Sequence, residues 1–220
     1  MRTLFILFLL IFTNSYSQDE NLAKTYFNSG EFEKALLEYQ KLYNRSPSNP
    51  NYIIQIVVMH QQLEQYNEAE TFLKQLMNRT KYPVLFIELG YNYQLKNDTK
   101  NAKANYQKAI KSIDSNPTYV FSVARGFQKH ALLNEAVVAY EKAMQLKPEY
   151  NFSLQLAQLY GEQGNIEKMF TGYLNFAETN PASVNIIKRY INDFISENSA
   201  NENNIISVSY THLTLPTIQL

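Results

Sequence analysis

The chain has 220 residues, no cysteine, no tryptophan, and 20 cationic against 20 anionic side chains, for a net charge of zero. That balance argues against a nucleic-acid partner, which would require a basic face. The missing cysteines together remove disulfides, zinc ribbons, thiol nucleophiles and the lipid-anchored cysteine of a bacterial lipoprotein.

Met1 to Ser17 reads as a secretory signal peptide. Arg2 gives the positive start, and Leu4 to Phe12 is an apolar run of nine. Ser15 and Ser17 are the small residues expected before a cleavage point, so the mature chain is expected to begin at Gln18. The alternative is an uncleaved anchor, but a bilayer span needs ~20 apolar residues. Export implies a periplasmic location in a Gram-negative source, with no membrane span after cleavage.

From Asp19 onward the apolar spacing is helical. A helix is expected near Asp19 to Ser29, Gly30 breaks it, and a second runs from about Phe32 to Arg45. Further pairs follow at about 51–79, 84–114, 118–146 and 151–179, then a single helix from about Ser183 to Ser196. The clearest copy is the stretch from Asn134 to Pro148. There Ala136, Ala139, Tyr140, Ala143 and Leu146 form one apolar stripe, and Pro148 closes the helix.

The same unit recurs. Ala35 is followed by Tyr39 and Leu42, Ala69 by Leu73 and Leu76, Ala102 by Tyr106 and Ala109, and Met169 by Tyr173 and Phe176. The anchors Ala35, Ala69, Ala102, Ala136 and Met169 are spaced 34, 33, 34 and 33 residues apart. Upstream of each anchor stands a second repeated pattern: Leu22-Ala23 with Tyr26, Leu89-Gly90 with Tyr93, Val123-Ala124 with Phe127, Leu156-Ala157 with Tyr160. Ile56-Val57 with His60 is its weakest copy. Gly30, Asn97 and Gly164 share the place between paired helices, where a left-handed residue ends the first one; Glu64 and Ala131 fill that place at a local cost.

A fixed period of this length resembles the tetratricopeptide repeat family. The resemblance covers about residues 16–183 in five units, about 16–49, 50–82, 83–116, 117–149 and 150–183. It implies an all-α right-handed solenoid of antiparallel helix pairs. The sequence departs at Met169, where alanine is usual, and at Lys81 and Asp114, where the closing proline moves to Pro83 and Pro117. Those shifts imply looser second and third junctions. Together with its leader, the chain also resembles exported repeat proteins of flavobacteria and their relatives. Residues 184–204 read as a partial sixth unit ending in a polar loop, Ser196 to Asn204. Residues 205–220 lose the helical period and resemble translated adapter tails at the ends of assembled fragments, which implies a truncated frame. The alternative is a genuine short extended tail.

No catalytic constellation is visible. His60, His130 and His212 are scattered without metal-ligand spacing, and the six glycines punctuate helices instead of forming a phosphate loop. The expectation is therefore no enzyme, no metal and no cofactor. Recurring tyrosines at 26, 39, 93, 106, 140, 160 and 173 read as repeat core.

The resemblance implies that the first helix of each pair lines a concave groove. Carried over, the inward positions are Lys24, Phe27 and Asn28; Ile54, Val58, Gln61 and Gln62; Ile87, Tyr91 and Gln94; Phe121, Arg125, Gln128 and Lys129; and Leu154 and Gln158. The partner-binding set expected from them is Lys24, Asn28, Val58, Gln62, Ile87, Tyr91, Gln94, Phe121, Arg125, Gln128 and Gln158. The family's lysine–asparagine clamp for peptide carboxyl ends is not matched, because Glu20 and Lys24 stand where lysine and asparagine are needed. The competing reading is that Ile54, Ile87, Phe121 and Leu154 merely pack between helices. The function implied is a scaffold of the cell envelope that binds a protein or peptide. The alternatives are the extracytoplasmic sensing portion of a larger signalling enzyme and a structural assembly factor.

Overall fold

The computed structural model describes the backbone of residues 19–197 and the side chains of residues 19–192. The expected signal peptide at 1–17, the polar stretch from 198 to 204 and the tail at 205–220 lie outside the described residues.

The described chain is all-α. Helix α1 covers 19–28. It is followed by α2 (Phe32–Arg45), α3 (Pro50–Gln62), α4 (Tyr66–Met77), α5 (Val84–Leu95) and α6 (Thr99–Ser115). A 3-10 turn, Pro117–Tyr119, leads into α7 (Val120–Lys129), then α8 (Leu133–Leu146), α9 (Ser153–Glu162) and α10 (Ile166–Thr179). A second 3-10 turn, Pro181–Ser183, precedes α11 (Val184–Glu197). The last helix therefore runs through Ser196 and Glu197, where the sequence suggests a loop.

One device joins the two helices of every pair. Gly30, Glu64, Asn97, Ala131 and Gly164 all have positive φ, between 53° and 74°. At each, the residue itself donates to the carbonyl three back, and the next residue donates to the carbonyl five back. Gly30 N bonds Phe27 O at 3.0 Å and Glu31 N bonds Tyr26 O at 2.9 Å; Ala131 N bonds Gln128 O at 3.0 Å and Leu132 N bonds Phe127 O at 3.0 Å. This is the Schellman closure, which satisfies the helix's last carbonyls and reverses the chain in three residues. Starts are fixed by side chains too: Asn49 accepts from Asn51 N at 3.0 Å ahead of Pro50, and Asn165 accepts from Lys168 N at 3.2 Å.

The described chain divides into two compact units that meet between Lys108 and Ala109, inside α6. In the first unit, Ala23, Ala35, Tyr39, Leu42, Tyr52, Ile56 and Met59 form one core, and Ile53, Val57, Leu73, Leu76, Leu85 and Leu89 another. The anchor alanines Ala35 and Ala69 are fully buried, as close helix crossings require. At α5 the small residue is Gly90, with the buried ring of Tyr106 set against it.

A polar hub ties α4 to α5. Glu70 receives Lys74 at 2.7 Å, Lys96 at 2.9 Å and the Tyr93 hydroxyl at 2.8 Å. Partial burial pushes the Glu70 carboxyl up, but the hydrogen bonds from Lys74, Lys96 and Tyr93 outweigh it and hold it down to about 2.

In the second unit, Val123, Ala124, Phe127, Ala136, Ala139 and Ala143 are all fully buried between α7 and α8. Between α9 and α10 the approach is as close. A Cβ on Gly172 would stand 2.9 Å from the Ala157 Cβ and 3.2 Å from the Ser153 carbonyl oxygen. Helix α11 packs Ile187 and Ile191 onto Phe170 and Tyr173, with Tyr190 stacked on Tyr173 at 6.0 Å.

Two expectations are corrected. Leu146 does not share the buried stripe of α8: it lies in the last turn, beyond the crossing, and is exposed. The tyrosines divide by helix. Those on second helices, Tyr39, Tyr106, Tyr140 and Tyr173, are core, whereas Tyr26, Tyr93 and Tyr160 on first helices are half-buried. Each of the latter has a lysine over its ring, Lys34, Lys96 and Lys168, at 5.0–5.9 Å. At the junction after α6, that helix runs on to Ser115, and Asn116 caps the 3-10 turn by accepting from Thr118 N at 3.0 Å.

Candidate protein-interaction site

The first-helix positions differ sharply in what they offer. On α1, Lys24 and Asn28 are exposed and Phe27 is half-buried against Phe32. Lys24 holds Glu20 at 2.8 Å, and Glu20 also accepts from the Tyr52 hydroxyl at 3.2 Å. Glu20 thus neutralises the cation one turn along the same helix.

On α3, Ile54 and Val58 are half-buried, Gln62 is exposed, and Gln61 is buried with its amide nitrogen unpartnered. On α5, Ile87 is completely buried and presents no surface, which corrects its assignment as a partner-binding residue. The physical reason is that α5 is apolar around most of its circumference, so it is buried around its circumference as well. Tyr91 is half-buried. Gln94 is exposed, yet its side-chain oxygen accepts from the Tyr106 hydroxyl at 2.9 Å, so it has a structural role between α5 and α6.

Helix α7 is different. Phe121, Arg125 and Gln128 are all exposed and lie at spacings of four and three, one stripe of the helix. Phe121 is 58% exposed, so the reading in which it packs between helices fails for this residue. It is nonetheless held in place, since its ring sits 5.6 Å from Phe152, edge-on at 74°, and 6.3 Å from Tyr150. Phe152 in turn lies 4.8 Å from Tyr140, tilted by 44°, and both are buried. The result is a graded aromatic cluster with a fixed base and one ring in solvent. Among the described residues no carboxylate pairs with Arg125. On α9, Leu154 is half-buried and Gln158 exposed.

Tyr150 and Phe152 were not among the residues expected to contribute. Their signal was available, as an aromatic pair in the loop that enters a first helix. Among the described residues, no cluster of three or more His, Asp or Glu side chains could hold a metal, and no helix is long and apolar enough to cross a membrane.

The tetratricopeptide repeat family model matches residues 20–49 and 85–116, which contain the α1–α2 and α5–α6 pairs. No curated protein matches the chain. Among solved structures, the chain is similar to a thermophilic tetratricopeptide protein of Thermus thermophilus, at 16% identity over 82% of this chain and 99% of that one, with a TM-score of 0.42. It is similar to the C-terminal part of a repeat-containing protein of Cytophaga hutchinsonii at 15% identity, over 90% and 80% of the two chains, with a TM-score of 0.40. MamA of Desulfovibrio magneticus is similar at 14% identity, over 77% and 97%, with a TM-score of 0.39.

Proposed function

We propose that this chain is a protein-interaction scaffold of the cell envelope that holds a peptide or protein partner on first-helix faces, with the α7 stripe of Phe121, Arg125 and Gln128 as its anchor. The observation that carries the reading is the solvent-facing ring of Phe121, set against Phe152 and Tyr150, one turn from Arg125, which has no carboxylate partner among the described residues. Burying an aromatic ring that already leans on two others adds apolar contact, and its two side-chain torsions keep the entropic cost low. Aromatic and arginine side chains dominate interface energetics. An unpaired guanidinium gives the partner's carboxylate a bidentate seat. No chemistry is asked of the chain. The envelope location rests on the leader-like residues 1–17.

The test is recovery of partners from envelope extract, followed by affinity measurement with the purified partner. Phe121→Ala and Arg125→Ala are each expected to weaken binding tenfold or more while leaving the thermal melt near that of the parent. If both variants melt normally and bind as the parent does, the α7 face is not the interface. Fractionation of cells into cytoplasm, periplasm and membrane tests the location separately.

A further inference from the structure

We propose that the first unit carries a second peptide site, a cleft of about 470 Å³ between the α2–α3 and α4–α5 loops, which binds an extended segment through a bulky apolar side chain and an adjacent carboxylate. It is distinct from the α7 stripe and does not rest on it, since all its residues belong to the first unit.

The cleft follows from the displaced proline. The α2–α3 loop has four residues, 46–49, and closes onto Pro50; the α4–α5 loop has six, 78–83, because its proline comes two places late at Pro83. The floor between them is apolar and buried: Ile53, Leu76 and Leu85. Pro47, Pro50 and Tyr82 form walls; the prolines have no N–H to hydrate, and Tyr82 is 38% exposed. A volume of this size is within the range of ~300–1,000 Å³ typical of ligand clefts.

Charge identifies the occupant. From Asp19 to Asp98, the cations Lys24, Lys34, Lys41, Arg45, Lys74 and Lys96 each hold a carboxylate. Arg79, which lines the cleft, and Lys81 beside it are the remaining two, and neither has a partner among the described residues. No Asp or Glu occurs in residues 39–63 or 71–87, the two stretches that build the cleft. The site is therefore an apolar slot with uncompensated positive charge at its edge, complementary to an anion carried next to an apolar group. Ser48 and Thr80 add hydroxyls to the lining, which suits peptide amides better than an alkyl chain.

The experiment uses the purified protein and a panel of N-acetylated, C-amidated hexapeptides in which one Asp stands beside Leu, Ile or Phe, each with its Asn counterpart. Backbone amide shifts on titration are expected at Ile54, Thr80 and Tyr82. Replacing Asp by Asn, or Arg79→Gln in the protein, is expected to weaken the binding reported by these three amides at least tenfold. Arg79 is exposed and has no partner among the described residues, so its substitution should not disturb folding. If no Asp peptide shifts these residues, or if Arg79→Gln binds as the parent does, the proposal is overturned. Saturation of the cleft by decanoate with no response to any peptide also overturns it and assigns the cleft to a lipid-like carboxylate.

Discussion

The aromatic ring of Tyr106 on α6 lies directly over the Cα of Gly90 on α5. A Cβ at Gly90 would meet Tyr106 Cε1, stand 2.6 Å from its Cδ1, and lie 3.1 Å from the Ala102 carbonyl oxygen. The ring has little room to move, since Tyr106 is buried and its hydroxyl is held by Gln94 at 2.9 Å. Gly90→Ala therefore sets two effects against each other. Alanine gains about 1 kcal/mol of helix propensity. Overpacking a rigid crossing costs about 1–3 kcal/mol. Because the clash is with a ring that is held at both ends, net destabilisation is expected, by up to about 2 kcal/mol, and urea unfolding checks it. An unchanged midpoint would mean that α6 shifts to accommodate the methyl group.

The five left-handed turns give a prediction of opposite sign. Ala131 and Glu64 hold φ of 53° and 58° with exposed side chains. Left-handed backbone costs an L-residue about 1–2 kcal/mol, partly offset by the unfolded-state freedom that glycine adds. Ala131→Gly and Glu64→Gly should each raise stability by about 0.5 kcal/mol. Gly30→Ala and Gly164→Ala should each lower it by about 1 kcal/mol, even though a Cβ at either position meets nothing within 4 Å. Thermal melts of the four variants should therefore separate into two groups.

Ala136 marks the crossing of α7 and α8 and is fully buried. Ala136→Leu is expected to cost about 1–3 kcal/mol by overpacking, whereas Ala131→Leu, at an exposed turn position, would act only through its backbone. A melt unaffected by Ala136→Leu would contradict this helix register.

Glu70 sets an acid sensitivity. Its folded pKa of about 2 lies below the ordinary value of 4.5, so its hub contributes stability at neutral pH that is lost as pH falls from about 4.5 through about 2. The side chain is mostly covered, and after allowance for solvent screening the contribution is about 1–2 kcal/mol. Glu70→Gln should lower stability at pH 7 and flatten the pH dependence in that window. Equal acid sensitivity in parent and variant would show that the hub adds nothing to folding.

The α7 stripe gives a last separation of roles. Because Phe121 is more than half exposed, Phe121→Ala should cost less than about 1 kcal/mol of stability, while Phe152→Ala, which removes the buried ring beneath it, should cost about 3–5 kcal/mol. Similar losses for both would place Phe121 in the core and remove it from the interaction face.

The sequence by itself determined the repeat register. The spacing of Ala35, Ala69, Ala102, Ala136 and Met169 located every second helix, and Gly30, Asn97 and Gly164 located the reversals closely enough that Glu64 and Ala131 could be assigned the same backbone without being glycine. These features were legible because they are local. A helix face follows from a period of 3.6, and a left-handed cap follows from its hydrogen bonds. What only the tertiary structure decided was which repeated positions remain in water. Ile87 and Phe121 occupy the same place in successive pairs, 34 residues apart, yet one is fully buried and the other is 58% exposed. Periodicity fixes the direction in which a side chain leaves its helix. Burial depends on what neighbouring elements bring to that place, and those neighbours come from distant parts of the chain and are not themselves identical.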